Sequence, residues 1–516
     1  FFTYYVKPRK KFYVLRKIFL AAVLAAPAAA PAARLVEDFA PAAASAWKPY
    51  LESPAVAPAP DGIAFPLPFS QNVDRAAWDK AVNFDLSAAV AFELDAACPL
   101  PDATRALGLY FKSGAGWYVA NRPLASPATH TLVYAKSDFT SEGKPAGWNR
   151  IDGIRISPWK GASPRDTALV LSRLVAVEGA GLVLVRGTSS CPDAGARAVA
   201  DKTAERVSRL LVEAGIGHSI ATDDDLAKGA LKNAGAALLP YNPNPTPAQL
   251  KALTDFLARG GKLGVFYGAS PALAAAMGFR LGPYVKAERP DRWRSIVFDD
   301  PGAWLVPPRI WQNSPNLMPA LPAGPGSRAV AFWHDARDVR QPEPAIVVSP
   351  RGFWMSHVLM NDDVSSKKEM LVSLCAHLDP SVWTPAALRA VRDANRVNAF
   401  NGVEHAVSEI NRQLLAAARP AEIRVLLDEI AVLSAQIQAA LAANRPQEAL
   451  LHARRQRQLI LRADASIQIP RPGEFVGVWD HDGTGLVPGD WNSTAAYLAA
   501  HGVNAVFANV VWGGCA

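Results

Sequence analysis

The residues best suited to chemistry stand near the end of the chain. Trp479, Asp480 and Asp482 close or follow an apolar run, 475–479. Asn509 and Trp512 sit late in and just after a second run, 505–511. Polar groups beside indole rings suit a sugar, which needs hydrogen bonds at its rim and an aromatic surface for its apolar face. We take these five residues as substrate-binding candidates, with Asp480 orienting the substrate. For Asp482, a structural role in the Gly-rich loop around Gly483 and Gly485 is an equal reading. Asp480, His481 and Asp482 are a poor metal site, because successive side chains point apart. No metal and no cofactor is expected. Hydrolysis of a glycosidic bond takes two carboxyl groups flanking that bond, and this stretch alone does not supply both.

The elements that must position these residues follow from pattern. Each apolar run reads as a buried strand. Asp490 or Asn492 can cap a helix over 493–500, and His501-Gly502 stops it. Strand, loop, helix and strand make one βαβ unit. The unit resembles the opening of the family 10 glycosyl-hydrolase-like proteins, through Gly477-Val478-Trp479, the polar loop 480–485, and Asn504–Phe507 with Trp512. The resemblance implies a (β/α)8 barrel and a polysaccharide substrate, with cell-wall glycans among the candidates. An ordinary strand–helix–strand of another α/β fold is the plainer alternative. A barrel takes about 250 residues, so 473–516 would be its first βαβ unit. On that reading the barrel is truncated here and its catalytic residues lie beyond Ala516. The chain opens on Phe1 and its first Met is Met277, which also reads as a piece of a longer chain. A lone βαβ unit leaves apolar faces bare, and the neighbouring helices, through Ile437, Leu441 and Leu459, are the expected cover.

Composition bounds the rest. Half the residues are hydrophobic and 19% are charged, which fits folded domains with sizeable cores. The net charge of +8 is gathered in the first seventeen residues and around Arg454–Arg462. No basic stripe with interleaved aromatics accompanies it, so nucleic acid is not expected as a partner. Lys7–Lys17, the apolar run 18–26 and the Ala/Pro stretch after it read as a signal peptide over 1–33. The apolar run is too short for a stable membrane span. The expected location is periplasmic or extracellular. Cys98, Cys191, Cys375 and Cys515 show no metal spacing, and buried single thiols are the plain reading.

Residues 36–178 carry short β-rich runs at 88–94, 106–112, 116–120, 130–136, 151–157 and 168–177. Turn clusters at 112–114 and 141–145 separate them, which predicts a sandwich. GLYFKSGAGWYVA (108–120) and GWNRIDGIRISPWKG (147–161) resemble galactose-binding-like jelly-roll modules. That resemblance makes Trp117, Tyr118, Trp148 and Trp159 candidate sugar-stacking residues, with core packing as the alternative for each. From 180 to 382, strands and helices alternate and predict a doubly wound parallel sheet. ALLPYNP (237–243), GGKLGVFYG (260–268) and GFWMSHVL (352–359) resemble the class I glutamine-amidotransferase-like, flavodoxin-like fold. The position of that family's nucleophilic Cys falls near Tyr267, so amidotransferase chemistry is not expected. His357 reads as an ordinary strand-end His, and a small-molecule site near Asn242, Tyr267 and His357 is left open. Residues 384–466 read as a helical hairpin, with Thr384 capping its start, an apolar seam from Ile423 to Leu441, and a solvated arginine run at 454–462.

The sequence therefore predicts a multi-domain α/β plus all-β chain: a jelly-roll sandwich, a flavodoxin-like doubly wound sheet, a helical hairpin and a truncated (β/α)8 barrel. The expected function is an exported, glycoside-hydrolase-like protein acting on a polysaccharide. A non-catalytic glycan-binding or cell-surface protein is the alternative.

Overall fold

The computed structural model describes residues 33–509, apart from 51, 72, 125–126, 164, 179–180, 290, 415–416, 418–419, 469–472, 482, 484, 487–489 and 501. Residues 1–32, nearly all of the stretch expected as a signal peptide, and Cys515 fall outside the described residues.

The first body is a two-layer antiparallel sandwich. One sheet runs Ala57–Ala59, Gly62–Leu67, Thr167–Glu178, Ala89–Ala97, His130–Ala135, with Ala33–Glu37 also pairing Thr167–Glu178. The other runs Lys48–Tyr50, Ala77–Phe84, Ile151–Lys160, Thr104–Arg122, Thr140–Pro145. Inward side chains such as Phe65, Trp78, Phe92, Leu109, Phe111 and Ile156 fill the space between them. Two expected turns are absent. Lys112-Ser113-Gly114 lies inside one continuous strand, Thr104–Arg122. Gly114 takes φ +57 and its N–H donates to Asp152 Oδ2 at 2.9 Å, so the glycine kinks the strand without reversing it. Residues 141–145 belong to the strand Thr140–Pro145, which pairs with the second half of Thr104–Arg122.

The second body is a nine-stranded mixed sheet. Ser219–Thr222, Leu182–Arg186, Ala236–Leu239, Lys262–Phe266 and Gly352–Met355 are parallel in that order. Arg340–Ser349, Arg328–His334, Ser295–Phe298 and Ile310–Trp311 extend it antiparallel. This corrects the all-parallel expectation. The turn between Arg328–His334 and Arg340–Ser349, closed by Asp335 N–H on Val339 O at 3.0 Å, is too short for the helical crossover that parallel strands need. Side chains cap two of its helices: Asp193 accepts from Ala196 N–H before Ala194–Glu213, and Thr246 accepts from Gln249 N–H before Pro247–Ala258.

Residues 383–467 form four helices among the described residues, not a hairpin: Trp383–Ala394, Val403–Gln413, Pro420–Ala442 and Pro446–Ile467. Thr384 is no cap. A 3-10 turn at Pro380–Val382 runs straight into the helix at Trp383. Pro420 opens a helix, where its missing N–H costs nothing. By length and composition Pro420–Ala442 is apolar enough to cross a membrane, yet Ile423, Leu426, Ile430 and Leu433 pack against Leu459, Ile460 and Ile410. The arginine run is not all solvated: Arg454 pairs with Glu369 of the α/β body at 3.1 Å.

The sandwich is locked to the helices by buried charge. Glu93 and Asp95 share the outward face of Ala89–Ala97, two residues apart. They are only 2% and 3% exposed. Arg389, Arg392 and Arg396 fall on one face of Trp383–Ala394 and the residues after it. Arg389 and Arg392 reach Glu93 at 2.8 and 3.0 Å, and Arg396 reaches Asp95 at 2.7 Å. Arg173 adds a further contact to Asp95 at 3.1 Å. Burial works to raise the Asp95 pKa, but hydrogen bonding and charge from Arg396, with Arg173 and Thr131, prevail and hold it at about 2.

The last unit is a parallel pair, Gly477–Asp480 with Ala505–Ala508, and the helix Trp491–Ala500. Asp490 accepts from Ser493 N–H at 3.0 Å, a helix-capping contact. The strands are not buried: Phe475 is 68%, Trp479 66% and Phe507 48% exposed. The helices do not supply the expected cover. Ile437 packs with Ala394 and Ala453, and Leu459 lies in the bundle core.

Two outcomes are expected. Asp95 is depressed in the fold, so its contribution is complete above its unfolded pKa of about 4 and is lost as pH falls toward about 2. Denaturant midpoints taken from about pH 5 to about pH 2 should fall further for the wild type than for Asp95→Asn, by roughly 2 kcal/mol. Parallel curves would refute the assignment. In amide exchange, 505–508 should lose protection well before 182–185, whose side chains are largely buried. Equal protection would show that the exposed strand pair is held by something else.

Candidate functional site

The parallel strands of the mixed sheet all end on one edge, where α/β folds place ligands. After Lys262–Phe266 comes Tyr267 with φ +50, a left-handed backbone that a bulky residue adopts only under constraint. Its N–H donates to Met355 O at 2.9 Å, and its hydroxyl donates to Asn316 Oδ1. The Tyr241 ring stacks at 6.0 Å and the His357 ring lies at 5.0 Å. Burial, with the neighbouring Tyr284 and Tyr241 phenols, pushes the Tyr267 hydroxyl up to about 12. Burial pushes His357 down to about 4, so it is neutral at pH 7. The turn after Lys262–Phe266 therefore carries an un-ionised phenol. A groove of about 770 Å³ opens beside it, lined by Ala269, Pro271, Phe279, Arg280, Tyr284 and Met318 among others.

Asn242 is turned to another partner: it is buried, and its Nδ2 donates to Asp223 Oδ2 at 3.3 Å. Asp223 accepts from the N–H groups of Thr188, Ser189 and Ser190 at 2.9, 3.2 and 3.2 Å. Burial opposes ionisation of Asp223, but hydrogen bonds from Ser190 and Thr188 lower its pKa. The loop after the first strand thus spends its donors on the protein's own carboxylate.

In the last unit, the Trp479 ring stacks on Phe507 at 5.8 Å and 20°, with His481 at 6.4 Å. The two rings are opposed in the parallel register, which places them on one face. Asp480 Oδ2 accepts from Gly485 N–H at 2.8 Å, so this carboxylate shapes the loop. Asn509 N–H donates to Asp480 O at 2.9 Å. Trp479, Asp480 and Asn509 are thus brought together. Asp482 and Trp512 lie outside the described residues.

The sandwich divides its four candidates. Trp148 stacks on Tyr118 at 4.1 Å and packs against Phe92, Phe111 and Phe139, as core. Trp117 and Trp159 are half-buried on the outer face of the second sheet, beside Tyr50, Tyr110, Arg75 and Arg155. Sequence reading missed those four neighbours. The signal was present in Arg155, Ser157 and Trp159, which alternate with inward Ile154 and Ile156. Cys98, Cys191 and Cys375 are buried free thiols, each pushed up by burial. No group of three metal-ligating side chains gathers among the described residues.

No family model matches this chain, and no curated protein matches it. Solved structures similar to parts of it include a ThuA-like protein from Bacteroides uniformis ATCC 8492, at 14% identity and TM-score 0.31, covering 38% of this chain and 90% of that one. A family 11 carbohydrate-binding module of a Clostridium thermocellum cellulosomal cellulase is similar at 13% identity and TM-score 0.23, covering 29% and 97%. A glutamine amidotransferase from Methylobacillus flagellatus is similar at 11% identity and TM-score 0.24, covering 39% and 77%.

With a phenol at the Tyr267 turn and the described thiols buried, the protein should release no ammonia from glutamine. A glutaminase assay checks this. Ammonia release that Cys191→Ala abolishes would show that the nucleophile lies at Cys191.

Proposed function

We propose that this is an exported glycan-directed protein of the glycoside-hydrolase-like kind, acting on a polysaccharide. In this reading 473–516 opens a (β/α)8 barrel, and Trp479, Asp480, Asp482, Asn509 and Trp512 belong to its substrate-binding rim. One observation carries the reading: the exposed Trp479 ring, backed by Phe507, beside the polar groups at the ends of two parallel strands. An indole open on that scale offers a sugar ring an apolar surface, and the strand ends are where barrels place their sites. The bare faces of the strand pair fit a sheet that further strands would continue.

Binding without hydrolysis is the second reading, and the carboxylates favour it for these residues. Asp480 is engaged by Gly485 and Asp490 by Ser493. Neither is placed as a free acid facing a partner carboxylate, as hydrolysis requires.

The test is affinity electrophoresis of the full chain in gels containing neutral and acidic polysaccharides. At least one should retard it, and Trp479→Ala should weaken that binding about tenfold or more. Unchanged retardation of Trp479→Ala would remove the basis of the proposal. Product analysis on the retained polysaccharide should show no chain cleavage by these 516 residues.

A further inference from the structure

The outer face of the second sandwich sheet holds a second constellation that the Trp479 reading does not use. The first sheet's outer face is covered: Val212 packs on Val90, Ala91 and Val177, and the arginines of the 383–396 segment engage Glu93 and Asp95. In a two-layer sandwich the second sheet's outer face therefore looks away from those helices.

Across that face Arg155 stands opposite Tyr110 on one side and Asp79 on the other. Its guanidinium lies 3.9 Å from the Tyr50 ring centre and 4.5 Å from that of Trp117. Asp79 binds it in a bidentate fork at 2.6 and 2.7 Å, so this cation is neutralised. The other end of the row differs. Arg75 lies 4.8 Å from the Trp159 ring centre and 5.1 Å from that of Tyr110, and Arg105 lies 5.5 Å from Trp159. Neither Arg75 nor Arg105 forms an ion pair among the described residues. Arg75 Nε donates to Ser157 Oγ at 2.5 Å, while its Nη2 is shielded from solvent with no acceptor among the described residues.

We propose that Arg75, Arg105 and Trp159 form a docking site for the carboxylates of an acidic, uronate-bearing polysaccharide. A guanidinium already lies over the Trp159 indole, so this ring offers a neutral sugar little open surface. What the surface offers is N–H edges on planes held in place by the rings beneath. A planar fork of donors matches a carboxylate in two bonds, and stacking removes much of the freedom that binding would otherwise cost. Of the acids on and beside these strands, Asp79 is paired with Arg155, Asp102 with Arg165, and Glu142 stands opposite Trp117. This site shares with the Trp479 reading only the premise that the partner is a glycan.

The test measures binding of the full chain to polygalacturonate, dextran sulfate and a neutral β-glucan by titration calorimetry. Polygalacturonate should bind, and should weaken as salt rises from roughly 50 to roughly 500 mM. Arg105→Gln and the double variant Arg75→Gln/Arg105→Gln should each lose affinity for it, the double by about tenfold or more. Arg105 is exposed, so its single variant keeps the test decisive if the double unfolds. In a Trp479→Ala background, polygalacturonate binding should still weaken with salt and with Arg75→Gln/Arg105→Gln. Three results would overturn the proposal: equal affinity for the neutral glucan, binding of dextran sulfate alone, or arginine variants that bind as the wild type does. Loss of all binding in Trp479→Ala with none in the arginine variants would sink this site and leave the Trp479 platform standing.

Discussion

The arrangement of the bodies rests on two carboxylates that cannot face water. Glu93 and Asp95 sit on the outward side of a sandwich strand, where alternation would ordinarily place them in solvent. Here helices cover that side, and an ion buried alone would cost several kcal/mol. Four guanidinium groups meet the two acids. Such a cluster adds little net stability over a well-packed apolar contact, but it is intolerant of misplacement. Sliding the helix by one residue would strand both acids. The cluster therefore fixes where the sandwich sits, and with it which of the two sheets keeps a free outer face.

A similar constraint operates at the strand ends of the α/β body. Tyr267 holds a left-handed backbone at the end of Lys262–Phe266. Residues in such conformations persist only where their surroundings over-determine them. Here the Met355 carbonyl fixes the Tyr267 N–H, Asn316 takes its hydroxyl, and Tyr241 flanks its ring. The antiparallel extension of the sheet stands behind Gly352–Met355 and helps hold that edge. The turn at Tyr267 is a packing solution, with its side chain serving as structure.

Much of this was legible in the sequence, and what was not has physical reasons. The helix start at Asp490 was readable because a capping side chain lies within three residues of the N–H it satisfies. Strand positions were readable from local alternation. The antiparallel half of the mixed sheet was not, because apolar runs report burial and not direction. The kink at Gly114 read as a turn because the same residue serves both. The burial of Glu93 and Asp95 depends on residues about three hundred positions away, Arg389 and Arg396. A regular spacing of arginines on one helix face was the sole hint of it. In the candidate site, Trp479, Asp480 and Asn509 were placed together by the βαβ pattern. Asp480's bond to Gly485 is a loop detail that no periodicity records.

The two aromatic surfaces differ in what they leave open, and this difference separates their chemistry. Trp479 is backed on one side by Phe507 and is otherwise largely bare. Trp159 carries guanidinium groups and is half-buried. An open ring rewards the apolar face of a pyranose regardless of its charge. A ring covered by arginine rewards only a ligand that can accept hydrogen bonds, and most of all one that also carries negative charge. On the proposed reading, a polysaccharide with uronate residues would meet both surfaces with one polymer, through its ring faces at Trp479 and its carboxylates at Arg75 and Arg105. A neutral glucan satisfies the first alone. The buried lock at Glu93 and Asp95 covers one sandwich face, and the arginine-bearing face lies on the other.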